Sequence, residues 1–488
     1  MITNALLALL SAVLLVLLFP PYSLTWLAPV AIAPLVVACA RAQTWKSRLA
    51  LGYGTGIVYW FGVCNWIAWT LAHHAGITGV AAWLLFALFC LAKSVQLGIF
   101  GVLAGPLSRS PLALPAIGAL WVVLEWSHMY TAFEWLLLGN AGSNMELPMR
   151  LAPYTGVWGL SFVFAMLGAA VAMLLLRRNR LAVAWLLLWP LLWLLPRAAP
   201  PQRADASAVV LQPNFDDETI WTPELLDNTM KRMELLSMAP VLSRERKVDL
   251  IVWPEIPLPL YDTDAGFRRL ISSIASRASA GFVTGAVAHR NKAPLNSALL
   301  VAPDGTIQAR YDKVNLVPFG EFVPWPFAAV TNKVSTEAGD FEAGTEVIVP
   351  QLGDHRVGTF ICYESAFPGY VRQFTGKGAE VLLNISNDSW FGHTPARYQH
   401  LLIARMRAAE NRRWILRVTN NGVTAAIDPA GRVRRSIEEF QEVVALMPFA
   451  WSKEQTVYTR WGDWFVALCA AVAAVAFGLK KLSGWRAE

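Results

Sequence analysis

Between residues 78 and 105 the chain carries one charged side chain, Lys93, in a run otherwise apolar and neutral. A bilayer's ~30 Å hydrocarbon core is crossed by about 20 such residues in a helix. Runs of the same kind, bounded by charges or turn residues, recur at 5–19, 24–40, 51–71, 111–130, 157–175 and 181–196, and once more at 463–479. A soluble domain can bury one such helix in its core, but not a series of eight. The expected architecture therefore starts with a multi-span α-helical membrane domain over residues 1–196, with an eighth transmembrane helix at 463–479. The first run lacks a basic n-region and leads directly into further runs, so it reads as an uncleaved helix and not as a signal peptide. With 55% apolar and only 15% charged residues, the chain is neither disordered nor wholly soluble.

Charge placement gives the orientation. Residues 1–200 hold ten Lys/Arg against three Asp/Glu, whereas residues 201–488 hold 31 of each. The net charge of +7 thus lies wholly in the apolar part. Cytoplasmic loops of membrane proteins are enriched in Lys and Arg. Loops after the second, fourth, sixth and eighth runs carry Arg41, Lys46 and Arg48, then Arg109, then Arg177, Arg178 and Arg180, then Lys480, Lys481 and Arg486. The loops after the first and third runs have no Lys or Arg. Both termini are expected in the cytoplasm and residues 197–460 outside it. This pattern argues against a nucleic-acid partner.

Two features inside the membrane half bear on function. Gly52, Gly54 and Gly56 look like part of a nucleotide loop, but no strand precedes them, so close helix packing is the expectation. An ionisable residue within a span is a functional candidate by default. Lys93 is one, unless it snorkels or meets a polar partner.

The segment 205–455 differs in character. Short β-rich runs alternate with helical ones: ASAVVLQPN, a long helix near 222–246, DLIVWPE, the helix GFRRLISSIASRAS, GFVTGAVA, and SALLVAPDGTIQARY as a hairpin turned at Asp304-Gly305. RVGTFICYES, AEVLLNISND, the helix ARYQHLLIARMRAAENRR and WILRVTNNGVTAAIDPAGRV follow. Strands such as DLIVW and EVLLNIS are nearly continuous apolar runs, as sheets covered on both faces require. This is a layered α/β domain.

Four of the five cysteines, Cys39, Cys64, Cys90 and Cys469, sit in apolar runs, and Cys362 stands alone in the polar region. With no CxxC pair, neither a disulfide framework nor a cysteine zinc site is expected. Glu255, Lys313 and Cys362 each lie at or just past the end of a predicted strand, where α/β sheets present reacting groups. A thiol nucleophile needs a base, and the adduct it forms with a carbonyl needs a positive charge beside its oxyanion. Glu, Lys and Cys together supply all three. By chemistry alone the alternatives stay open: a single Cys also serves as a small buried hydrophobe, and Glu or Lys as a surface charge. His355, His393 and His400 would allow a Cys-His protease, and Asp388, His393 and His400 a metal site. Neither has its signature spacing, and no metal or other cofactor is expected.

The flanking residues narrow the choice. WPE at 253–255, DKVNLVPFGE at 312–321 and CYE at 362–364, in that order, resemble the nitrilase superfamily. The triad of that superfamily would fall on Glu255, Lys313 and Cys362, in an αββα sandwich. A nitrilase-like domain between membrane spans, with LVPFGEFVP at 316–324, NDSWFG at 387–392, FEWLLLGNAG at 133–142 and LAPYTGVWGLSF at 151–162, is similar to the apolipoprotein N-acyltransferases of the bacterial cytoplasmic membrane. Glu134 stands where that family usually has proline.

The resemblance implies a phospholipid as acyl donor, a thioester on Cys362, and the α-amine of a diacylglyceryl-modified apolipoprotein as acceptor. In that reading the chain is an inner-membrane enzyme acting as a monomer, with its catalytic domain on the periplasmic face. Lys313 and the backbone N–H of Tyr363 would hold the oxyanion. Glu321 would stand beside the triad, Tyr363 and Glu364 would support the nucleophile, and Trp221 would contact substrate. Trp325, Phe327, Trp390 and Phe391, in turn-rich loops, would form a lid. Competing expectations are a membrane-tethered amidase or nitrilase acting on a small amide, and a transporter carrying an inactive nitrilase-like module.

Overall fold

The computed structural model describes residues 2–74, 77–131, 133–178, 189–199, 203–216, 219–243, 247–291, 293–322 and 341–485. These fall into two compact units, one of residues 1–69, 78–198 and 461–488, the other of residues 70–77 and 199–460.

The first unit is helical among its described residues. Two helices, Gly79–Leu107 and Val157–Leu175, are long and apolar enough to cross a membrane, and Ile2–Leu17 and Trp464–Leu479 are shorter apolar helices. The run at 24–40 is not the single helix expected of it. Only Ala33–Arg41 is α-helical, preceded by a 3-10 turn at Thr25–Leu27. Pro29 and Pro34 lack the N–H that a continuous helix would need there. Ser11 meets the polar backbone this break exposes, donating to the Ala31 carbonyl and accepting from Leu35 N. The run at 51–71 is also two helices, Trp45–Cys64 and Trp66–His74, and the run at 111–130 is helical over Ala113–Trp126 and then tightens to 3-10. The run at 181–196 lies mostly outside the described residues.

Helix Trp45–Cys64 packs along Gly79–Leu107. A Cβ on Gly52 would stand 2.1 Å from the Leu97 carbonyl oxygen and one on Gly56 2.9 Å from Ser94 Cα, so these two glycines set the close approach. Gly54 meets nothing within 4 Å and takes no part. Lys93 has polar partners. Its ammonium donates to Thr131 Oγ1 (2.9 Å) and the Phe133 carbonyl (3.1 Å) and meets His128 Nδ1. The charge of Glu134 also acts on it. Lys93 thus anchors His128, Thr131 and Phe133 to its helix.

Among its described residues the second unit contains two six-stranded sheets. The first has the order β12-β1-β2-β3-β4-β5, built from β1 (Ala206–Gln212), β2 (Leu250–Val252), β3 (Gly281–Arg290), β4 (Ala293–Val301), β5 (Ile307–Asp312) and β12 (Val443–Phe449). The second has the order β11-β10-β9-β8-β7-β6, built from β6 (Gln351–Leu352), β7 (His355–Ile361), β8 (Val381–Ser386), β9 (Ile415–Thr419), β10 (Thr424–Ile427) and β11 (Val433–Ile437). In each sheet three successive strands are parallel: β1, β2 and β3 in one, β7, β8 and β9 in the other. The sheets face each other, β1 against β9 and β4 against β7.

Helices cover the outer faces. Phe267, Ile271 and Ile274 of Ala265–Ala278 pack with Val209, Ile251, Trp253 and Phe282 of the first sheet. Pro368–Gly376 and Ala396–Asn411 lie over β7 and β9 of the second. The layers run αββα, and with both sheet faces covered every residue of β1, β2 and β8 is buried.

Candidate active site

The three candidate groups follow from how three strands end. After β2, Pro254 has no N–H to extend the ladder, but its carbonyl still accepts from Gly285 N of β3 (3.0 Å). The chain therefore turns tightly against β3 and presents Glu255. A Cβ on Gly285 would lie 2.2 Å from Ile256 N and 2.7 Å from Glu255 Cα, so this approach requires glycine. Lys313 directly follows β5, its N–H adding one more bond to the Asn296 carbonyl of β4 (2.8 Å). The β4–β5 hairpin turns through Gly305 at φ +89°, with Asp304 Oδ1 accepting from Thr306 N. Cys362 directly follows β7 and opens a 3-10 turn, Cys362–Ala366. Its φ of +49° is uncommon for a residue with a Cβ. A nucleophile on a strained strand-to-helix turn is a recurrent device for exposing its reactive atom.

Glu255, Lys313 and Cys362 are all buried. Glu255 Oε1 accepts from Asn296 Nδ2 (2.7 Å) and Lys313 Nζ (3.3 Å), and Oε2 from Asn387 N (2.7 Å). Glu321 completes the cluster: its Oε1 accepts from Lys313 Nζ (2.9 Å) and Asn296 Nδ2 (2.7 Å), and its Oε2 from Val317 N (2.8 Å). The turn in VPFGE folds Glu321 back in this way, with Phe319 at φ +62°. One ammonium is thus flanked by two carboxylates, with the amide of Asn296 bridging them.

The electrostatics follow. Burial alone would push the Lys313 ammonium down, but Glu255 and Glu321 outweigh it and hold Lys313 above its ordinary value. The Cys362 thiol is pushed up by burial and by the Glu255 carboxylate, against the opposing charge of Lys313. The resting thiol is therefore neutral, and it could act as a nucleophile only once a base takes its proton.

Glu364 lies in the same 3-10 turn as Cys362. It is fully buried. Its Oε1 accepts from Val314 N (2.8 Å) and Asn315 N (3.1 Å), its Oε2 from Ile361 N (2.8 Å), and both from Tyr311 OH (2.7 Å). It ties the Lys313 loop to the cysteine turn. Burial pushes its carboxyl up to about 7, against donors that favour the charged form. Tyr363 is buried edge-on to Phe367, ring centroids 5.2 Å apart.

The aromatic candidates divide. Trp221 packs edge-on to Phe215 on the apolar cluster of the first sheet and its helices. Trp390 is held between neighbours: its ring lies 4.7 Å from that of His74, its carbonyl accepts from Thr70 Oγ1 (2.9 Å), and a Cβ on Gly320 would sit 3.3 Å from it. Phe391 does not extend from a loop as a lid residue would. It is buried, edge-on to His400 at 5.7 Å, because the 3-10 turn Asp388–Phe391 points it inward. Trp325 and Phe327 lie outside the described residues.

The histidines have other partners. His355 pairs with Glu380 (2.7 Å), His393 stacks on Phe440 (4.1 Å), and His400 Nε2 meets the Cys362 carbonyl oxygen (3.0 Å). Sequence reasoning missed Asn296, Asn387 and the partners of His400. A polar Asn296 at the head of the apolar run SALLV was the available signal, since a buried amide there must find hydrogen bonds.

Comparison with known proteins adds an independent line. The family model for carbon-nitrogen hydrolases matches residues 208–450, and that for the apolipoprotein N-acyltransferase N-terminal domain matches residues 11–170. An apolipoprotein N-acyltransferase of Geobacter metallireducens is 31% identical over 98% of this chain and 96% of its own. That of Pseudomonas putida is 31% identical over 93% and 92%, and that of Azotobacter vinelandii 32% over 95% and 92%. A solved carbon-nitrogen hydrolase from Helicobacter pylori G27 aligns with 55% of this chain and 92% of its own, at 16% identity and a TM-score of 0.38.

Proposed function

Because the chain belongs to the apolipoprotein N-acyltransferases, with relatives about 30% identical along nearly its whole length, we propose that it moves a fatty-acyl chain from a membrane phospholipid to the N-terminal α-amine of a diacylglyceryl-modified apolipoprotein. The observation that carries the reading is a buried carboxylate and ammonium whose charges both act on one strained cysteine. Glu255 takes the thiol proton as Cys362 sulfur attacks the ester carbonyl. Lys313 and the Tyr363 N–H hold the oxyanion. When the adduct collapses the carbon–oxygen bond breaks, Glu255 returns the proton to the leaving alcohol, and a lysophospholipid departs from the thioester. The acceptor amine then attacks the thioester, Glu255 takes its proton, the carbon–sulfur bond breaks, and the thiol is restored. Aminolysis must outrun hydrolysis, which favours a site that excludes bulk water.

The test is acyl trapping. Incubation of the full chain with phospholipid vesicles should add one long-chain acyl group to Cys362, read by intact mass, and a lipopeptide amine should discharge it. A tethered amidase would be acylated by a small amide and not by phospholipid. A transporter with an inactive module would be acylated by neither. The match of residues 11–170 to the acyltransferase N-terminal model favours the first outcome.

The same reading includes eight spans, both termini in the cytoplasm, residues 205–455 as the catalytic domain on the periplasmic face of the inner membrane, and a monomer. Loop charges support the orientation. A membrane-impermeant thiol reagent applied to intact spheroplasts is expected to label a cysteine placed at Asp264 and not one placed at Arg178. Labelling of both from one side would overturn the span count or the orientation.

A further inference from the structure

Behind the cysteine turn lies a buried polar chain that the reaction steps above do not use. His400 is fully buried, on the helix Ala396–Asn411. Its Nε2 stands 3.0 Å from the Cys362 carbonyl oxygen, and its Nδ1 stands 3.0 Å from a guanidinium nitrogen of Arg417. Nδ1 also lies 3.3 Å from Asp388 Oδ1. A carbonyl only accepts, so Nε2 carries a proton, and the nearer Nδ1 contact, to a guanidinium that only donates, fits the neutral imidazole. Burial and the Arg417 charge favour that neutral form and outweigh the opposing Asp388.

Arg417 is fixed in turn. It donates to Asp388 Oδ2 (2.5 Å), while Asp388 Oδ1 accepts from Ser386 Oγ (2.8 Å). Burial would raise the Asp388 carboxyl, but the Arg417 guanidinium outweighs it and holds it well below the usual carboxylate range. A Cβ on Gly422 would lie 2.3 Å from Asp388 Oδ2, so the pocket for this carboxylate exists only because residue 422 is glycine. Asp388, His400 and Arg417 are all fully buried. Such a set is costly unless every member is bonded, and then it is rigid.

The consequence falls on one peptide group. The Cys362–Tyr363 peptide is planar and trans, so its N–H points opposite to its C=O. His400, with Asn384 Nδ2 at 3.4 Å, holds the C=O toward the helix side. The N–H of Tyr363 is thereby turned to the other side. In hydrolases with a strained nucleophile turn, the N–H after the nucleophile is an oxyanion donor. The φ of +49° at Cys362 is a conformation that surroundings must enforce.

We infer that His400 is a positioning residue for the oxyanion hole: by donating to the Cys362 carbonyl, and held there by Arg417 and Asp388, it keeps the Tyr363 N–H aimed at the oxygen of the reacting acyl group. The inference rests on the acyl-transfer reading of the site.

The test compares two reactions of the same sulfur in the full-length protein. Acylation by p-nitrophenyl butyrate passes through an oxyanion, whereas alkylation by iodoacetamide does not. Both are followed at Cys362 by peptide mass mapping at one pH. For His400→Leu, acylation is expected to fall about 100-fold, the usual scale for an oxyanion donor lost or misaimed, with alkylation changed less than about threefold. His400→Gln can still donate to the carbonyl and accept from Arg417, and should recover most of the acylation rate. The inference is overturned if His400→Leu acylates normally, if both reactions fall in parallel, or if glutamine restores no more than leucine does. A parent chain that reacts with the nitrophenyl ester but takes no acyl group from phospholipid would instead sink the proposed function, and would leave this inference standing.

Discussion

Replacing Cys362 with serine is expected to remove the acyl-enzyme altogether. The thiol is already held above its ordinary value by burial and by Glu255. A hydroxyl in the same place is far harder to ionise, and a carboxylate is too weak a base to compensate. A loss of at least about 10³-fold, roughly 4 kcal/mol in the barrier, is the expected scale. Cys39, Cys64, Cys90 and Cys469 are also buried free thiols, but all four lie in the helical unit. Their serine variants should still accept an acyl group, at a modest cost in thermal stability for each buried hydroxyl. Intact mass after incubation with phospholipid vesicles checks all five. An acyl adduct formed at the parent rate by Cys362→Ser would sink the mechanism.

What the sequence revealed, and what it hid, follows from the range of each interaction. The ends of β2, β5 and β7 were legible because each strand is a local run closed by a local signal, Pro254 after one and a charged or reactive residue after the others. The pairing of β1 with β12 was not, because Ala206 and its partner Phe449 are brought together only by the complete sandwich. The helix Ala396–Asn411 was legible as a helix but not as a buried one. Arg397, His400, Arg407 and Glu410 are polar or charged, yet all four are buried. Arg407 and Glu410 pair with each other along the helix (2.9 Å), but Arg397 meets Glu439 and His400 meets Arg417 of β9, and no local pattern announces those two partners. The broken run at 24–40 is a different kind of miss. Its hydropathy is continuous, but Pro29 and Pro34 were visible and should have outweighed it.

The roles of Glu255 and Lys313 should separate in their response to pH. Glu255→Gln keeps the shape and the bridge to Asn296 but removes the base. Its acylation rate should then track the small thiolate fraction that solvent can generate, rising about tenfold per pH unit. It should show no plateau near the ~8.5 of a free thiol, because burial holds Cys362 higher. Lys313→Met removes the oxyanion's cation, a loss of about 10²–10³ in rate. It also leaves Glu255 and Glu321, both bonded to Asn296 Nδ2 at 2.7 Å, with no charge between them. Two carboxylates so placed repel each other without the cation, which disturbs the base as well as the oxyanion. Lys313→Met combined with Glu321→Gln removes this complication, and its deficit should stay level from pH 6.5 to 9.5 while that of Glu255→Gln shrinks steadily. Single-turnover acylation by a short-chain phospholipid analogue measures both. If the double variant recovers in alkali and Glu255→Gln does not, the ammonium is not the oxyanion donor and Glu255 is not the base.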